Sequence, residues 1–283
     1  MQEKIELTKA RAFGELIEDS IQFFKQNWKP LLRAYFIICG FFWLASLAVS
    51  LFDVNQTAQR VALGESRFGY TYFMAMGFSL ISHVMIMLTV TCYIAVYKDK
   101  GNEPGGVDEV WSYVKYYFFR VAGSYIALLA LICASALVFL VPGIYFAIVV
   151  SITIPIMVIE NSTLGYAFSR SFVLMKNRWW QTLGIIIVSE LIIVAAMFSV
   201  GIPVGLIVWG TTFLTNIKGS DIYLYATAVV SHLLQFLYML PLITITLTYF
   251  SFNEQTDQGA LFERIEMIGK NKPDTAGQLT EEY

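Results

Sequence analysis

The sequence predicts an all-α integral membrane protein with six transmembrane helices, cytoplasmic amphipathic helices at the interface, and an order readable as three parallel hairpin repeats. Three observations carry this. The 283 residues are 57% hydrophobic and 14% charged, with mean hydropathy +0.62, whereas soluble domains are roughly 25% charged. The apolar residues gather in uncharged runs near or beyond the about 20 residues that cross a bilayer. Short amphipathic stretches rich in cations and tryptophan stand just before several of these runs.

The first element occupies residues 1–29. On a helix, Phe13, Leu16, Ile17, Ser20, Ile21, Phe24 and Trp28 share one face, and Glu15, Glu18, Asp19, Gln22, Lys25 and Lys29 take the other. Too charged to span, this helix is expected to lie in the headgroup region. Pro30 should end it and open the first span. A membrane domain over 30–252 then holds spans near 32–53, 70–97, 120–141, 144–160, 180–202 and 222–250. Pro142-Gly143 reads as a tight turn dividing the long uncharged run Val121–Ile159. After Val200 the string GIPVGLIVWGTTFLTN is too apolar for an ordinary loop. Either the fifth helix kinks at Gly201–Pro203 and runs on, or the chain re-enters the membrane. Residues 253–283 form a cytoplasmic tail with a short amphipathic helix around Gly259–Gly269, placing Leu261, Ile265 and Ile268 on one face. That helix docks on its own protein or on a partner.

Lys and Arg set the orientation. Sixteen of the 19 fall in the N-terminal segment, the tail, and the segments between spans two and three and between four and five. Both termini are therefore expected in the cytoplasm of a multi-pass inner-membrane protein. Residues 1–29 lack the early apolar core of a signal peptide. The net charge of −2 and the absence of a basic stripe give no reason to expect nucleic acid. Cys39, Cys92 and Cys133 lie inside spans without CxxC spacing, which fits structural thiols better than disulfides or metal ligands.

A second amphipathic stretch, SRSFVLMKNRWW, sits 151 residues after the first. At that offset Gly14 falls on Gly165, Ile17 on Phe168, Ser20 on Ser171, Lys25 on Lys176 and Trp28 on Trp179. A helix over roughly 162–177, capped by Asn161 or Ser162, is expected to lie on the cytoplasmic leaflet. Lys25, Trp28, Arg170, Lys176, Arg178, Trp179 and Trp180 are its candidate lipid contacts and those of the first element. A third stretch, VDEVWSYVKYYFFR at 107–120, has the same character without aligning residue by residue. Three interfacial-helix-plus-hairpin units would share one orientation. Interfacial Trp and Lys before spans also arise without repetition.

From Pro142 to Trp180 the string PGIY…TIPIMVIENSTLGYAFSRSFVLMKNRWW resembles the membrane domain attached to some glycerophosphodiester phosphodiesterases and its free-standing bacterial relatives of unknown function. The matching positions are Pro142-Gly143-Ile144-Tyr145, Pro155, Glu160, Ala167, Arg170-Ser171 and Trp179. The resemblance implies a membrane fold and no activity, because the His, Glu and Asp groups of the soluble phosphodiesterase barrel have no counterpart here. Some relatives carry a carotenoid-oxygenase label. Those enzymes hold iron with four histidines, and this chain has two. Glu160 and Arg170, ten residues apart at the end of the fourth span, read as a structural pair, with ligand contact as the alternative.

Few residues point to chemistry. GNEPGGV at 101–107 lacks the GKS/T ending of a phosphate cradle, and no metal-ligand spacing occurs. His83, Glu190 and His232 are ionisable groups near the centres of spans, a costly placement that is often functional; neighbouring helices can equally be joined by such groups. The arithmetic of their depth predicts that a histidine meets Glu190. The function expected first is a non-enzymatic scaffold or accessory subunit with lipids and membrane or cytoplasmic proteins as partners and no cofactor. A carrier of lipid or another amphiphile, and an intramembrane enzyme, are the alternatives.

Overall fold

A computed structural model describes residues 4–66, 68–215 and 219–270, with backbone alone at 211–212, 214–215, 219–222 and 258–270. The described residues are helical and contain no strand. They include α1 (Phe13–Ala62), α2 (Tyr70–Asp99), α3 (Val107–Val138), α4 (Leu140–Val150), α5 (Thr153–Ile159), α6 (Leu164–Met175), α7 (Trp179–Thr215), α8 (Gly219–Leu233) and α9 (Met239–Lys270). Six candidate membrane spans arise from them, α4 with α5 making the fourth and α8 with α9 the sixth.

The expected break at Pro30 does not occur: α1 runs unbroken through the proline for 50 residues, about 75 Å. The reason lies in tertiary packing. Leu16, Ser20, Phe23, Asn27 and Leu31 form a buried stripe, and Phe23 sets its ring edge-on to Tyr97 at 5.1 Å and Tyr93 at 6.4 Å. Tyr93 donates its hydroxyl proton to Asn27 Oδ1 at 3.0 Å, a buried bond worth roughly 0.5–1.5 kcal/mol. The packed face is thus rotated from the one the apolar pattern predicted, and Phe13 and Trp28 are exposed. Next to a bilayer, apolar side chains face lipid as readily as protein, whereas Ser20 and Asn27 need the bundle.

Similarly, α3 absorbs the stretch at 107–120 into its own first turns. It starts where Glu109 accepts the Gly106 N–H at 2.7 Å. The turn after α3 falls at Phe139, in extended conformation, and Pro142-Gly143 lies in the first turn of α4 instead. Proline is tolerated there because its missing N–H has no helical acceptor. Gly143 is needed for contact rather than for turning: a Cβ added to it would lie 2.6 Å from Ala136 Cβ and 2.8 Å from Ala136 Cα.

The fourth span is interrupted. After Val150 the helix lapses at Ser151-Ile152 and resumes as α5. Then α6 begins after Thr163 rather than Asn161 or Ser162. Asn177 adopts φ +64° and separates α6 from α7, where the aligned Gln26 of α1 stays helical. Despite that difference, burial recurs at the 151-residue offset: Leu16 and Ala167, Ser20 and Ser171, Phe23 and Leu174, Leu31 and Thr182 are all buried. Of the two alternatives after Val200, the helix runs on: α7 continues through Pro203 to Thr215. In the sixth span, α8 and α9 are joined by a 3₁₀ turn, Leu234–Tyr238. The backbone of α9 continues to Lys270. The side chains of Leu261, Phe262, Ile265 and Ile268 lie outside the described residues, as does everything from 271 onward.

At the end that holds the first described residues, a clasp ties the bundle together. The Arg11 N–H donates to Ser251 Oγ at 2.9 Å, and Gln255 Nε2 donates to the Arg11 carbonyl at 3.3 Å. The buried Arg11 guanidinium meets Asp19 at 2.7 Å and donates to the carbonyls of Glu6, Leu7 and Lys9. Ile5 and Leu7 are buried beneath it.

Candidate functional site

The C-terminal half of α2 is its most enclosed part, buried from Val84 to Tyr97. Against it lie both interrupted spans. Beside His83 opens a cavity of about 200 Å³, walled by α2, α3, the α4–α5 break and α9. Tyr125 packs on His83 with ring centroids 5.9 Å apart. The other polar groups of the wall are Thr91, Ser151 and Thr246; the rest is aliphatic, and no charged side chain lines it. Pro155 carries no N–H, so the Ser151 carbonyl four residues earlier loses the donor a continuous helix would give it. Gln235, in the 3₁₀ turn, donates to Ser82 Oγ at 3.1 Å, and its own oxygen is buried with no partner among the described residues. Interrupted helices at mid-depth are tolerated where backbone is buried in protein or lines a cavity.

The three intramembrane candidates do not assemble. His83 lines the cavity. His232 lines a separate cleft with Ser46, Asp53 and Ser79, where Nδ1 lies 2.8 Å from the Ala228 carbonyl and Nε2 3.3 Å from Ser46 Oγ. Because a carbonyl only accepts, Nδ1 carries the proton and Ser46 donates to Nε2. Trp43 Nε1 donates to the His232 carbonyl at 2.8 Å, pinning α8 to α1. Glu190 is exposed on α7 and makes no hydrogen bond or ion pair among the described residues. The histidine–Glu190 contact, expected directly or through a water, has no direct hydrogen bond among the described residues; the two histidines have separate direct partners. Depth alone placed them; helix rotation, which sequence offsets do not give, sends them apart.

Glu160 and Arg170 do not pair with each other. Tyr249 donates to Glu160 at 2.9 Å, and Arg170 donates to Asn253 at 2.7 Å and meets Asp257 at 3.4 Å. Both side chains fasten the α5–α6 corner to α9. Tyr166 also donates to Glu160, and that bond raises the phenol above the ordinary tyrosine range. Arg178, expected at lipid phosphate, instead donates to Thr256 at 2.9 Å and to the Phe252 carbonyl, with its guanidinium over the Phe252 ring. Trp179 stacks on Tyr145 at 6.1 Å. Lys25, Trp28, Lys176 and Trp180 are exposed, Trp28 with Lys29 over its ring at 5.6 Å.

Sequence reasoning missed Thr91, Tyr125, Ser151 and Gln235. Pro155 inside the fourth span and Gln235, the one amide between residues 222 and 250, were the available signals. Comparisons with protein-family models, with curated proteins and with solved structures returned no match.

Proposed function

We propose that this polytopic membrane protein is a non-enzymatic accessory or scaffold subunit of a membrane complex, with both termini in the cytoplasm. Glu190 carries the reading. It stands about 15 Å along α7 from Trp180, among the exposed apolar residues Ile187, Leu191, Val194 and Phe198. An ionised acid at mid-bilayer costs about 2.5–3.5 kcal/mol on insertion scales. A neighbouring helix that supplies a cation or a hydrogen bond removes most of that cost. No Lys or Arg lies within the central parts of this chain's own spans, which argues against a second copy as the source and for a different protein. The resemblance to the phosphodiesterase-linked membrane domain fits a structural role, since Gly143, Tyr145, Glu160, Arg170 and Trp179 all serve as joints around α4–α7.

The test is association in liposomes, read by energy transfer, with a Leu/Ala transmembrane peptide carrying one central Lys. The Lys peptide should bind several-fold more tightly than its Lys-free counterpart, and Glu190→Leu should remove the difference. Equal association of the two peptides would reject the reading. A second reading, a carrier of an amphiphile, is favoured by the two interrupted spans beside His83.

A further inference from the structure

The cavity beside His83 has a chemistry that selects its occupant. Thr91 donates its hydroxyl proton to the Met87 carbonyl at 2.8 Å, Ser151 to Ile148 at 2.8 Å and Thr246 to Leu242 at 2.7 Å. A hydroxyl has one proton to give, so all three turn only lone pairs to the cavity. The Ser151 carbonyl, released by Pro155, adds another acceptor. The wall is therefore largely apolar, with acceptors around Ser151 and, on His83 and Tyr125, one N–H and one O–H that can donate; a hydroxyl, which donates and accepts, matches both. With no Lys or Arg there, a carboxylate or phosphate would be buried uncompensated. With no Asp or Glu, an ammonium would be too. The volume of about 200 Å³ is several times the roughly 30 Å³ share of a water molecule.

From these features we infer that the cavity is a binding site for the head of an uncharged, hydroxyl-bearing amphiphile. Its O–H donates to the acceptors around Ser151 while its hydrocarbon lies against Leu128, Ile132, Ile154 and Leu242. The site deepens the carrier reading and does not depend on the Glu190 surface. Discontinuous spans whose unwound carbonyls face a midplane site are a recurring way to build such a pocket.

The experiment uses the full-length protein in nanodiscs, photolabelled with a long-chain 1-alkanol bearing a diazirine near its hydroxyl. The matching carboxylic acid and amine serve as comparison probes. The alcohol should label segments 83–91, 125–132 and 147–155, and the charged probes should not. Ala147→Phe, which fills the cavity, should cut that labelling about tenfold. Pro155→Ala offers an N–H to the Ser151 carbonyl and should weaken alcohol labelling by roughly three- to tenfold, the span of one hydrogen bond. Equal labelling by acid and alcohol overturns the inference. So does undiminished labelling in a correctly folded Ala147→Phe protein. Should that variant not fold, unchanged labelling in Pro155→Ala overturns it instead. The Glu190 peptide assay can fail or succeed whatever happens here.

Discussion

Replacing Gly143 with alanine tests a close contact between α3 and α4. The new Cβ would lie 2.6 Å from Ala136 Cβ, 2.8 Å from its Cα and 3.1 Å from its nitrogen, against the 3.5–4.0 Å of a relaxed contact. Two of those atoms are backbone, so no rotamer relieves the clash and α3 and α4 must part by about 1 Å. Overpacking of this kind costs about 1–3 kcal/mol, and the better helix propensity of alanine returns up to about 1 kcal/mol. A net loss of about 1–2 kcal/mol corresponds to a fall in Tm of about 4 °C for a chain of this size. The assay is thermal exposure of the buried thiols Cys39 and Cys92 to a reactive dye, in a Cys133→Ser background because Cys133 is exposed. Adding Ala136→Gly should recover part of the loss, since the Cα clash remains. A Gly143→Ala protein that melts with its parent would refute the close packing and the reason given for glycine there.

Three further outcomes are expected. Arg11→Ala and Asp19→Ala should each destabilise the fold, with a coupling energy of about 1–3 kcal/mol in a double-mutant cycle; additive effects would mean the pair contributes nothing as a pair. Arg178→Gln should lower stability by about 1–2 kcal/mol through loss of its α9 contacts, while Lys176→Gln should leave the melting temperature unchanged; a reversed order in thermal melts counts against those contacts. Tyr166 should ionise above the ordinary tyrosine range because Glu160 accepts its proton. Its bond thus stabilises below pH 10 and is lost as pH rises through the elevated midpoint. Ultraviolet titration should show the midpoint fall back in Glu160→Gln, and an unmoved midpoint would remove Glu160 as the cause.

Much of the architecture was legible because a span is a local property: some twenty uncharged residues declare themselves without reference to anything else. Boundaries set by packing were not. Pro30 looked like a stop, but Phe23, Asn27 and Leu31 hold the helix on α2 across it. Pro142-Gly143 looked like a turn, whereas the glycine answers to Ala136 on another helix. The ionisable residues could be placed in depth, since rise per residue is fixed. Their azimuth could not, and it separates His83 in a cavity from Glu190 on the outer surface. Arg178 shows the same limit, because a cation beside two tryptophans fits a lipid headgroup by composition and Thr256 by geometry.

The clasp at Arg11 also has a consequence for biogenesis. Its partner Ser251 lies 240 residues later, so at about 5–20 residues per second the first-made segment waits roughly 12–48 s for its acceptor to be synthesised. During that interval Ile5 and Leu7 lack the cover the finished bundle gives them. The last span, on insertion, closes the nascent chain on its own beginning. A ribosome stalled before Ser251 would leave five complete spans with their latch still open.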